Sequence, residues 1–110
     1  MEQRLFVYGT LAPGKPNEHV MTTIGGTWQE ATVNGYLKSQ GWGAAMGCPG
    51  IVLDAAGEDI KGYIFCSEHL DSHWHELDEF EGEEYERVLV NVTTKDNQAV
   101  DAYIYKLRES

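Results

Sequence analysis

Residues 85–106 read "YERVLVNVTTKDNQAVDAYIYK", and this run decides what kind of fold the chain can adopt. Val88, Val90 and Val92 alternate with Arg87, Leu89 and Asn91, the period of two that gives a strand one apolar face. Tyr85 to Thr93 is therefore predicted as a strand. Val100 to Lys106, rich in β-branched and aromatic residues, predicts a second, and "KDNQ" between them supplies turn residues. An antiparallel pair of this length needs cover for its apolar face, and the preceding residues must provide it.

Upstream, Leu5 to Tyr8 is a short apolar run ended by Gly9, which predicts a buried strand. Gly14 to Pro16 reads as a turn, and Asn17 as the cap of a short helix to Ile24, stopped by Gly25-Gly26. Ala31 to Leu37 predicts another strand, followed by the long loop "GWGAAMGCPG" (residues 41–50). Ile51 to Leu53 and Ile60 to Cys66, separated by "DAAGED", are expected to form a hairpin. A helix is predicted from Asp71 or Ser72 to Phe80 or Glu81, before Gly82. The order β-α-β-β-β-α-β-β points to an α+β fold, a sheet of about six strands curled around a small core. All 110 residues are expected to form a single domain.

Composition narrows the function classes. Hydrophobic residues make up 42% of the chain, enough for a core, and the net charge of -10 repels phosphate backbones and anionic lipid. Nucleic acid and membrane surfaces are thus not expected as partners. The first apolar run is too short for a secretory leader and none is long enough to span a bilayer, which predicts a soluble cytoplasmic protein. Cys48 and Cys66 lack metal or CxxC spacing and are expected as reduced thiols, with a disulfide between them the less favoured reading.

The acidic stretch Leu77 to Gly82, "LDEFEG", is the first candidate for chemistry. On a wheel with Leu70 at zero, Trp74 falls at roughly 40°, Leu77 at roughly 340° and Phe80 at roughly 280°. Glu81 falls at roughly 20°, inside that apolar arc, whereas Glu79 at roughly 180° and Glu76 at roughly 240° face water and Asp78 sits near the boundary. Two readings of Glu81 are open. Either the helix has ended and the carboxylate swings out beside Glu83 and Glu84, or it is held against apolar walls. In the second case lost hydration raises its pKa towards neutrality, as general acid/base work requires.

The first strand runs into "YGTL" (Tyr8 to Leu11), followed by Ala12-Pro13-Gly14-Lys15-Pro16-Asn17. "CPGIV" (Cys48 to Val52), "IKGYIF" (Ile60 to Phe65), "LDEFEG", "YERVLV" (Tyr85 to Val90) and "AYIY" (Ala102 to Tyr105) follow in order. This ordered set, spanning nearly the whole chain, resembles the gamma-glutamylcyclotransferase-like proteins, the AIG2-like or YtfP-like group. The resemblance implies a small mixed β-barrel flanked by helices, with a cavity between the Tyr-Gly-Thr-Leu loop and the helix ending in Glu-Gly. It implies cyclisation of a γ-glutamyl amine or peptide to 5-oxoproline with release of the amine, without cofactor. Glu81 would be the proton acceptor, with Tyr8, Gly9, Thr10 and Leu11 binding a small γ-glutamyl substrate. Many relatives carry Arg or Lys after the Leu; this chain has Ala12, and its Gly41 to Gly47 loop also differs. Those departures motivate a second hypothesis, a non-catalytic small-ligand-binding module on the same fold.

Other constellations carry less. His69 and His73 stand at a spacing that binds metal on a helix, but His75 points elsewhere, so a solvated cluster and no metal is the expectation. Trp74 and Phe80 are expected as apolar wall around Glu81, and one of Tyr103 and Tyr105 as a neighbour of the cavity or as packing. Arg87 is expected in a surface ion pair. A monomer is expected.

Overall fold

The computed structural model of the chain describes residues 3–9, 11–38 and 50–108. It contains strand β1 (Gln3–Val7), helix α1 (Glu18–Ile24), strands β2 (Thr27–Lys38), β3 (Gly50–Leu53) and β4 (Glu58–Ser67), helix α2 (Trp74–Glu81), and strands β5 (Tyr85–Thr94) and β6 (Ala99–Leu107). The strands lie in the order β3-β2-β4-β1-β6-β5, and β5 returns to β2 at Ala31↔Thr94 and Thr32↔Thr93. Five strands thus close a barrel, and β3 stands outside the ring on the part of β2 that runs on past its pairing with β5. The barrel is mixed because β1 runs parallel to β6, with Leu5 opposite Tyr103 and Phe6 opposite Ile104, while the other pairings are antiparallel.

Alternation along each strand builds two cores from one sheet. Phe6, Ile64, Val92, Ala102 and Ile104 point into the barrel, packed with Ala31, Val33 and Ile60. Leu5, Val7, Phe65, Tyr105 and Leu107 point to the other side and meet Met21 and Ile24 of α1 and Leu77 of α2. The C-terminal hairpin pairs as its alternation predicts, and Leu89, on the outward face of β5, is 58% exposed.

The expected hairpin of 51–53 with 60–66 does not form. β3 pairs with β2 through Tyr36↔Val52 and Leu37↔Ile51, and β4 pairs with the opposite edge of β2. The connection at 54–57 therefore crosses β2 at Gly35, where pairing with β4 ends and pairing with β3 begins. A Cβ on Gly35 would come within 2.4 Å of the Val52 carbonyl oxygen, and one on Gly57 within 2.7 Å of the Gly35 Cα, so this crossing needs glycine both on β2 and in the connection. Within the loop, the Asp54 carboxylate accepts from the Ala56 amide at 2.9 Å.

The helices differ in detail from expectation. Asn17 precedes α1 but makes no side-chain cap; Glu18 instead accepts from the Gly14 amide at 3.2 Å. The predicted helix from residue 71 is broken into a 3-10 turn, Leu70–Ser72, and α2. The break lies at His73, whose amide donates to the Leu70 carbonyl.

Candidate active site

Glu81 is the last residue of α2, and its place follows from the helix. Within α2 alone Trp74 and Glu81 are seven residues apart, so the two fall within about 20° of each other despite the break upstream. Leu77 is fully buried, and Trp74 and Phe80 pack against the same core. The turn closes through the Gly82 amide, which donates to the Asp78 carbonyl at 3.0 Å. Gly82 sits at φ +84°, ψ -175°, a region essentially reserved for glycine, and there the chain turns away into β5. Loss of hydration in this setting pushes the Glu81 carboxyl up from 4.5 to about 7.

Tyr8 follows β1 and approaches from the sheet. Its hydroxyl donates to the Tyr105 carbonyl at 2.7 Å and accepts from the Ile51 amide at 3.0 Å, so it ties the ends of β1, β6 and β3 together. Burial raises its pKa far above the ordinary tyrosine value; the Ile51 bond works against this, and the Glu81 charge adds to the rise. Glu81 is thus an electrostatic neighbour of Tyr8. With both its donor and one acceptor site engaged, the hydroxyl acts as a structural link, and the ring is what Tyr8 offers as a wall.

The glycine turn is compact: the Ala12 amide donates to the Gly9 carbonyl at 3.1 Å. Leu11 and Ala12 are buried in the helix-side core, so any part Leu11 plays in binding is through its backbone. Thr10 lies outside the described residues, as do the Gly41 to Gly47 loop and Cys48.

One group of neighbours was not assembled by sequence reasoning. The Tyr105 hydroxyl donates to Asp78 Oδ1 at 2.7 Å, and Arg87 Nε lies 3.1 Å from the same oxygen. The Arg87 guanidinium sits 4.4 Å from the Trp74 ring centroid and 5.4 Å from that of Tyr103. Trp74 donates its indole N–H to Gln3 Oε1. Arg87 therefore makes the ion pair expected of it, with Asp78, and is held in an aromatic slot as well. The signal available was the strand alternation that puts Arg87, Tyr103 and Tyr105 on one face.

The histidines do not converge. His73 Nδ1 contacts the His69 carbonyl at 2.7 Å, which makes that nitrogen the protonated one, and His75 pairs with Glu79 at 3.1 Å. Among the described residues no group of three or more His, Cys, Asp or Glu is placed to hold a metal. No helix among them is long and apolar enough to cross a membrane. A hollow of about 610 Å³ runs past Asp78, Gly82, Tyr85, Arg87 and Tyr105, behind the last turn of α2, and neither Glu81 nor Tyr8 lines it.

The sequence matches the family described as gamma-glutamyl cyclotransferase, AIG2-like, over residues 5–110. No curated protein matches it. Among solved structures it is similar to an AIG2-like protein of Mus musculus, at 24% identity and TM-score 0.73, covering 96% of this chain and 76% of that one. It is similar to YkqA of Bacillus subtilis at 28% identity and TM-score 0.75, with all of this chain covering 37% of that protein. A gamma-glutamyl cyclotransferase, at 18% identity and TM-score 0.71, shares the fold over 99% of this chain and 68% of its own.

Proposed function

The chain belongs to the gamma-glutamyl cyclotransferase, AIG2-like family, and from that premise we propose that it cyclises a γ-glutamyl amine or peptide to 5-oxoproline, releasing the amine. The observation that carries this reading is Glu81: a carboxyl largely withdrawn from water, its pKa pushed up to about 7, at the end of a helix and in electrostatic reach of Tyr8. A base for this reaction must take a proton from the substrate's α-ammonium and later return one, and a pKa near the working pH serves both transfers.

The steps balance without a further reactant. Glu81 takes a proton from the α-ammonium, and the freed amine attacks its own γ-carbonyl carbon. As the new C–N bond forms, charge develops on the carbonyl oxygen and the ring nitrogen's surplus proton passes to solvent, from which the released amine takes one back as it becomes an ammonium. The tetrahedral centre collapses, the bond to the leaving nitrogen breaks, and protonated Glu81 delivers its proton to that nitrogen. Amides of the turn from Gly9 to Leu11 would donate to the substrate carboxylate or the developing oxyanion. Holding the glutamyl chain folded supplies the advantage of an intramolecular reaction. In this reading the protein is soluble and cytoplasmic, acts as a monomer on a small molecule, and has Glu81 as catalytic residue with Tyr8, Gly9, Thr10 and Leu11 as the binding loop.

The test is 5-oxoproline release from a panel of γ-glutamyl amines and peptides. Glu81→Gln is expected to lower kcat by about 10²- to 10⁴-fold. Full rate in that variant, or an inert wild type across the panel, sinks the mechanism.

Ala12 favours a second reading. It is 4% exposed and packed in the core, where the family resemblance puts Arg or Lys in many members. A module that lost a substrate-holding cation would bind a small carboxylate without turnover, which calorimetry with the same panel detects.

A further inference from the structure

We propose that Tyr105 is a positioning residue: it holds Glu81 in place relative to the turn that begins at Tyr8, using its side chain for one and its backbone for the other. The inference rests on the reading of Glu81 as the acid/base. On the helix side, the Tyr105 hydroxyl donates to Asp78 Oδ1 at 2.7 Å. The Asp78 backbone carbonyl in turn accepts the Gly82 amide, closing the helical turn that ends in Glu81. On the loop side, the Tyr105 carbonyl accepts the Tyr8 hydroxyl at 2.7 Å. One residue of β6 thus joins both halves of the proposed site through two hydrogen bonds.

The sheet supplies this geometry as a unit. Arg87 and Tyr105 are direct partners across the β5–β6 ladder, so both donors reach the same carboxylate oxygen of Asp78 from one register position. Arg87 cannot wander, because its guanidinium is stacked against Trp74 and Tyr103. Trp74 is the first residue of α2, so the slot that fixes Arg87 also fixes the start of the helix. A hydrogen-bonded oxygen at residue 78 and an aromatic contact at residue 74 leave α2 little freedom to slide or rotate on the sheet. Such fixing is what precise placement of a proton-transfer group requires, since a displacement of about 1 Å can cost about a hundredfold in rate.

The experiment separates positioning from mere structural support. Tyr105→Phe keeps the ring and the backbone carbonyl and removes only the donor to Asp78. In the folded variant kcat is expected to fall about tenfold to a hundredfold with KM little changed. The Glu81 carboxyl, followed by its carbon chemical shift, is expected to titrate below about 7, towards 4.5, as the loosened turn admits water. Arg87→Gln provides a second measurement should Tyr105→Phe not fold. Loss of a nearby cation alone raises a carboxyl's midpoint, so a fall in this variant reports the loosened turn. Glu79→Gln, one residue from Asp78 but exposed, is the control expected to leave the Glu81 midpoint unchanged. A folded Tyr105→Phe, or failing that Arg87→Gln, with an unshifted or raised Glu81 midpoint overturns the proposal. If the midpoint falls while wild type releases no 5-oxoproline, the positioning role stands and the catalytic reading fails.

Discussion

Glu81 shows how a functional reading turns on one side chain's solvation. In the unfolded chain its carboxyl ionises near 4.5, while in the folded protein burial keeps the proton to about 7. Between those pH values the unfolded state has given up a proton that the folded state retains, so stability falls as pH rises. The loss comes to about 3 kcal/mol and is complete above the folded pKa. Glu81→Gln has no such loss. It is expected to be the more stable protein at pH 8 by up to about 3 kcal/mol and to lose that advantage at pH 4. Urea midpoints for both proteins at the two pH values check this; a difference that does not change with pH removes the buried carboxylate from the account. Tyr8→Phe is the complementary case. It strips a donor from the Tyr105 carbonyl and an acceptor from the Ile51 amide, a cost of about 1–3 kcal/mol for groups left unsatisfied. A raised KM with no change in unfolding midpoint would instead make the hydroxyl a substrate ligand. The position of Glu81 on the apolar side of the helix was legible in the sequence, because helical periodicity separates it from Glu76 and Glu79, but whether its carboxyl leaves water at the helix end was not. The double engagement of Tyr8 was not, because its partners lie 43 and 97 residues away.

At the level of elements, the last turn of α2 carries the strictest local demand. Gly82 follows Glu81 at φ +84°, and nothing lies within 4 Å of where a Cβ would stand. Gly82→Ala therefore meets no steric obstacle, and its cost is backbone strain alone, about 1–3 kcal/mol. The outcome is expected as a lower denaturation midpoint with an unchanged slope, together with reduced activity because the strained turn carries Glu81. A variant with wild-type midpoint would mean that the turn relaxes freely. Glycine after a helical stretch announces such a stop in the sequence, which is why the end of α2 was read correctly. The start was not, because the apolar spacing from Leu70 through Leu77 suits one continuous helix, and the 3-10 turn shows only in the bonds of the Ser72 and His73 amides to the His69 and Leu70 carbonyls. The misassigned hairpin has a similar cause. Alternation says which residues of 51–53 and 60–66 face inward but not which neighbour each strand takes, and the glycines at 35 and 57 let the chain cross β2 between them.

Across the whole molecule, the barrel depends on contacts between residues far apart in sequence. β1 lies beside β6 in parallel, and the ring closes where β5 meets β2 over two residue pairs. Closure of this kind leaves no local trace in composition or spacing, so the sheet was legible while its closed ring was available only through family resemblance. Ile104 is the natural probe. It has no exposed surface, faces the barrel interior, and sits on β6 between its neighbours β1 and β5. Removing its side chain beyond Cβ sacrifices transfer free energy and leaves a cavity bounded by strands that cannot collapse without opening the ring. Ile104→Ala is therefore expected to cost about 2–5 kcal/mol. Leu89→Ala, on the outward face of β5, is expected to stay within about 0.5 kcal/mol of wild type. Guanidinium denaturation of both variants tests the contrast. Because Tyr105 adjoins Ile104 on the same strand, lost activity in Ile104→Ala under conditions where it remains folded would indicate that barrel packing also sets the placement of Glu81. Equal costs at the two positions would show that the barrel-side core does not carry the fold.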